Sequence, residues 1–68
     1  MKAHEEQVVV ERDKLEVELT KLDSFIFNDS SIFHDLDKED RDLLYEQFTA
    51  MADYSRILAK RIARFTDA

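Results

Sequence analysis

From Leu44 onward, apolar side chains fall at Leu44, Phe48, Met51, Leu58, Ile62 and Phe65, spaced alternately by four and three residues. Ser55 fills the one missing step. Only a helix of about 3.6 residues per turn aligns such positions into one seam. The first half repeats the pattern with Val8, Leu15, Leu19, Leu22 and Ile26, and Arg12 stands at its missing step. The chain has no Gly and no Pro, so nothing breaks either run, and β-turns or phosphate-cradling loops lack their usual residues. The only cluster of turn formers is Asn28-Asp29-Ser30-Ser31. The expected fold class is all-α. Helix 1 covers about 2–27. The connector covers 28–36, with a short helical turn at Ile32–Asp35 capped by Ser30 or Ser31. Helix 2 covers about 37–65 and is started by Asp37 as N-cap. Glu39 and Asp40 suit its positive end, and Arg56, Lys60, Arg61 and Arg64 suit its negative end.

Two such helices joined by a short connector predict an antiparallel two-helix hairpin within one domain, residues 1–68. Its seam pairs Leu22 with Leu44, Leu19 with Phe48, Leu15 with Met51, Val8 with Leu58, His4 with Ile62 and Met1 with Phe65. The two polar interruptions, Arg12 and Ser55, then meet in one layer. Leu15, Leu19, Leu44, Phe48, Met51 and Leu58 are expected to form the core. Helix 2 is apolar on both flanks of that seam. One flank carries Tyr45, Ala52, Ala59 and Ala63. The other carries Leu43, Ala50, Tyr54 and Ile57 beside Gln47 and Arg61. An ordinary surface helix shows an apolar arc of only about 100°. One partner helix cannot cover the wider arc, so the hairpin is expected to self-associate into an oligomeric helical bundle.

Composition narrows the function classes. The chain has 68 residues and a formal net charge of −6. That charge is opposite to the footprint of a nucleic-acid binder. No Cys is present, which removes disulfides and thiolate metal sites. No apolar run approaches membrane-spanning length, and no signal peptide is evident, so a cytoplasmic location is expected. His34, Asp35 and Asp37 match no metal-ligand spacing, and no metal or other cofactor is expected. His4 and Ser55 as base and nucleophile lack an orienting acid and an oxyanion turn, so no catalytic residues are assigned and no enzyme is expected.

One end of the expected hairpin gathers His4, Glu11 and Arg12 from helix 1 with Tyr54, Ser55 and Arg61 from helix 2. Tyr54 and Arg61 are seven residues apart and share a helix face. A ring beside a guanidinium suits a purine and a phosphate. A purely structural reading also accounts for these residues: Glu11 pairs with Arg61, Arg12 bonds Ser55, and the polar layer fixes register.

The chain also resembles a family of very small tailed-phage proteins of unassigned function, including relatives in crAss-like phages. The resemblance is carried by His4-Glu5-Glu6-Gln7-Val8-Val9 with Glu11 and Leu15, and by Leu22-Asp23-Ser24-Phe25-Ile26 with Phe33 and Leu36. It continues through Met51, Tyr54-Ser55, Ile57-Leu58 and Arg61-Ile62-Ala63-Arg64-Phe65. Lys60 departs from it, standing where an acid is expected. The resemblance implies a small phage protein acting in the infected bacterial cytoplasm. By analogy of type, such proteins include helical oligomers that sequester cyclic nucleotide or cyclic ADP-ribose immune signals. The resulting expectation is a non-enzymatic sponge of that kind, with itself and a small cyclic nucleotide-type ligand as partners. The alternatives are a protein-interaction module acting through its acidic surface and a structural scaffold.

Overall fold

The computed structural model describes residues 2–28 and 31–65, and every regular element among them is helical. Helix α1 spans Ala3–Asp23 and passes directly into a π-helical turn at Ser24–Asn28. Helix α2 spans Ser31–Asp35 and α3 spans Lys38–Phe65. The Lys2 backbone N–H donates to the Glu5 carboxylate at 2.8 Å, which satisfies one of the donors exposed where α1 begins. Asp37 stands at the N-cap of α3, its carbonyl accepting from the Arg41 N–H at 3.0 Å. The pairing of Met1 with Phe65 and the cap by Ser30 lie outside the described residues.

Helices α1 and α3 lie alongside each other in a rod of 49 × 16 × 15 Å. Their contacts run in opposite chain order. Glu11 and Arg12 bond Tyr54 and Ser55, while Phe27 packs on Tyr45 and Phe48 at the other end. Leu19 and Phe48 border one shallow hollow of about 180 Å³.

The π-helical turn departs from the expected continuous helix 1. Its wider winding rotates Phe25, Ile26 and Phe27 relative to the α phase. Ile26 remains buried, and Phe27 meets the Phe48 ring edge-on at 5.5 Å. Phe33 of α2 then plugs the connector end. It is almost fully buried, and its ring lies edge-to-face with Phe25 at 5.9 Å and with Tyr45 at 5.5 Å. The connector therefore contributes core as well as a turn.

The core also differs from the expected seam. Leu58 is fully enclosed, and Val8, Ile26 and Phe33 are buried with it. Leu15, Leu19, Leu44, Phe48 and Met51 are only half-buried. Two cylinders touch along a line, so mid-seam residues keep solvent on their flanks unless a third element covers them. Among the described residues, the Arg41 Nε is the one buried side-chain nitrogen or oxygen without a hydrogen-bond partner.

Candidate functional site

The missing apolar steps at Arg12 and Ser55 place two polar groups opposite each other in the interhelical seam. The Arg12 Nε donates to the Ser55 carbonyl oxygen at 3.4 Å. The Ser55 hydroxyl, nearly fully buried, donates to Glu16 Oε1 at 2.5 Å. The same Glu16 oxygen faces Arg12 Nη2 at 3.3 Å. Arg12, Glu16 and Ser55 thus close a three-membered network in which the Arg12 charge is met one turn away on its own helix. Sequence reasoning paired Arg12 with Ser55 and omitted Glu16.

Immediately beside this layer, the Tyr54 hydroxyl donates to Glu11 Oε2 across the two helices. Tyr54 is 44% exposed. Its hydroxyl pKa is raised from 10.0. The bond to Glu11 is the main cause, burial and the Glu11 charge add to it, and the Arg61 charge opposes them. Arg61, two turns along the same face, therefore lies close enough to act on Tyr54 electrostatically. Among the described residues Arg61 has no carboxylate within ion-pair distance. The expected pairing of Glu11 with Arg61 is replaced by the bond from Tyr54 to Glu11.

His4 lies apart from this group. It is exposed in the first turn of α1, roughly 12 Å along the helix from Arg12 at 1.5 Å per residue. The structure thus gathers Glu11, Arg12, Tyr54 and Ser55, sets Arg61 beside them, and leaves His4 at the rim. The Ser55 hydroxyl is directed at a carboxylate, not at an imidazole.

A shallow hollow of about 560 Å³ adjoins Glu11 and is lined by Ala3, Glu6, Gln7, Val10, Glu11 and Lys14. All six lie on α1, so this hollow is a surface of one helix. Among the described residues no group of three or more His, Cys, Asp or Glu side chains is placed to hold a metal ion, and no helix is long and apolar enough to cross a membrane.

This arrangement can hold an anion and a flat ring. Arg61 offers a forked donor with no carboxylate in ion-pair distance among the described residues, Tyr54 an exposed side chain, and Glu11 an acceptor for hydroxyl or amino protons. No curated protein and no solved structure matches the chain. A family model described as Sequestin matches residues 2–64. That span takes in both long helices and every residue of the polar layer, and the chain belongs to the Sequestin family.

Proposed function

We propose that the protein is a non-enzymatic, phage-encoded sponge that sequesters a cyclic nucleotide or cyclic ADP-ribose-type immune signal in the cytoplasm of an infected bacterium. It works as an antiparallel helical hairpin assembled with further copies of itself. The observation that carries this reading is an Arg61 without an ion-pair partner among the described residues, set beside the exposed Tyr54, in a chain whose family is named for sequestration. Arg61 binds a phosphate with two parallel charge-assisted bonds, and Tyr54 stacks on a base. Glu11 accepts from ribose hydroxyls or a base amino group. Arg12 and Ser55 hold the helix faces in register, and His4 lines the outer edge. Nothing in such a site activates a nucleophile, so the ligand is held without reaction.

A ligand that binds only the folded state stabilises it by mass action, by about 2.7 kcal/mol at roughly 100 times the dissociation constant. In a domain of this size that raises the melting temperature by roughly 10 °C or more. A thermal-shift panel of cyclic mono-, di- and trinucleotides and cyclic ADP-ribose isomers tests the reading. The expected outcome is a shift with at least one compound, lost in Arg61→Ala and in Tyr54→Ala. No shift from any member at millimolar concentration overturns the reading and leaves the acidic protein-interaction surface as the explanation.

A further inference from the structure

The accessible surface of the chain is 5254 Å² for a mass of 8.1 kDa. A folded monomer of that mass exposes about 4,500 Å². The excess, roughly 750 Å², is close to the ~800 Å² that each partner buries in a standard interface. Among the described residues, three of the exposed large apolar side chains share one flank of α3. Leu43 is 61% exposed, Tyr54 44% and Ile57 46%, and Ala50 is exposed between them. The spacing of 43, 50, 54 and 57 places all four on one face of the helix, beside Gln47 and Arg61.

The charge along α3 says which way a partner runs. Its first third carries Glu39, Asp40, Asp42 and Glu46 against Lys38 and Arg41, a net charge of −2, whereas every charged residue from Tyr54 to Phe65 is basic: Arg56, Lys60, Arg61 and Arg64. Two α3 helices side by side in parallel set like charges together. In antiparallel they set the basic end of one against the acidic end of the other, and their macrodipoles oppose favourably. A two-fold axis between Asp53 and Tyr54 does this in one register. Ile57 then meets the small Ala50 of the second copy, Leu43 meets the aliphatic stem of its Arg64, and Arg61 stands beside its Glu46.

We infer that the Leu43–Ala50–Tyr54–Ile57 flank is where a second copy of this chain docks, α3 antiparallel to α3 about that axis. Each Tyr54–Arg61 site then borders the second copy, whose Glu46 neutralises Arg61 until an incoming phosphate displaces it. The last clause rests on the binding role proposed for Tyr54 and Arg61; the docking does not. A two-fold interface of this kind is self-complementary, since each residue pair occurs twice. It covers the exposed Tyr54 ring from the side opposite α1 and gives the site the second wall that one chain lacks. The alanine flank of α3, with Ala52 and Ala59, offers far less apolar area.

The test is the mass in solution, read by light scattering behind a sizing column with no ligand present, so that its outcome is independent of the sponge reading. The expected mass is about 16 kDa, twice 8.1 kDa, or a higher even multiple built on that dimer. Ile57→Asp and Leu43→Asp, both at exposed positions, are expected to shift the protein to monomer while circular dichroism shows its helix retained. Glu46→Arg is expected to weaken association by roughly tenfold, and adding Arg61→Glu to restore it. A wild-type monomer overturns the inference. So does an oligomer that survives Ile57→Asp and Leu43→Asp but is lost in Ala59→Asp, and so does a charge swap without rescue.

Discussion

Tyr54 and Ser55 sit next to each other in the chain and answer to different constraints. Tyr54 donates to Glu11 at the rim, and its neutral form is favoured because that bond needs the phenolic proton. The sign follows from linkage. A folded-state pKa above 10.0 means that the bond's contribution to stability is complete below that value and disappears as pH rises through the higher folded pKa. A spectroscopic titration of the phenol, in a Tyr45→Phe background that isolates Tyr54, is expected to show a midpoint above 10.0 that falls toward it in Glu11→Ala. An identical midpoint in both proteins refutes the Tyr54–Glu11 bond. Ser55 instead serves the seam. Ser55→Ala removes one donor to Glu16 and is expected to cost about 1 kcal/mol in chemical denaturation. Replacing Arg12 and Ser55 together with Leu completes both apolar seams and is expected to leave stability equal or higher, at the expense of register. A large loss in that double variant would mean that the layer holds the fold together. Arg12 and Ser55 were legible in the sequence because each interrupts a regular apolar spacing. Glu16 was not, because a carboxylate four residues beyond an arginine on a chain with 16 acids carries no distinguishing mark.

At the scale of the elements, burial is greatest at Leu58 in α3 and at Phe33 in α2. Leu58 is fully enclosed between α1 and α3, and Leu58→Ala is expected to cost ~2–5 kcal/mol in urea or thermal unfolding. Leu19 keeps solvent on one side in the single chain, so Leu19→Ala costs less than Leu58→Ala unless a further copy covers it. Phe33→Ala opens the connector end and is expected to cost ~3–5 kcal/mol. A loss below about 1 kcal/mol for Phe33→Ala would mean that α2 rests loosely on the long helices. The long helices could be read from the four-three spacing, since periodicity is a direct consequence of which face is buried. The π-helical turn at Ser24–Asn28 could not. Its extra residue per turn is stabilised by the tertiary cluster of Phe25, Phe27, Phe33, Tyr45 and Phe48, rings drawn from three elements, the π-helical turn, α2 and α3. Phe33 read as connector because no period runs through it, and its burial comes from where the chain turns back.

The whole molecule is a thin rod of 49 × 16 × 15 Å with few fully buried side chains. A chain of this size buries only about 60% of its unfolded surface even when roughly spherical, and an elongated one buries less. With no cysteine for a disulfide, association is the remaining source of stability that adds apolar burial. If the folded state is an assembly, folding and association are one equilibrium, and stability depends on protein concentration. For a dimer that unfolds to two separate chains, each tenfold dilution removes about 1.4 kcal/mol of apparent stability per mole of dimer. That is about 0.7 kcal/mol per chain, and at ~4–8 °C per kcal/mol for a domain of about this size the melting temperature is expected to fall by roughly 3–6 °C for every tenfold dilution. Calorimetry or circular dichroism melts across two decades of concentration measure this directly. A melting temperature that stays constant over that range would mean that the single chain carries its own stability, with its half-buried seam residues sufficient as they stand. A falling melting temperature, abolished in Ile57→Asp, ties the concentration dependence to the Tyr54 flank of α3. The same flank then accounts for the excess surface, the distribution of charge along α3, and the second wall of the proposed binding site.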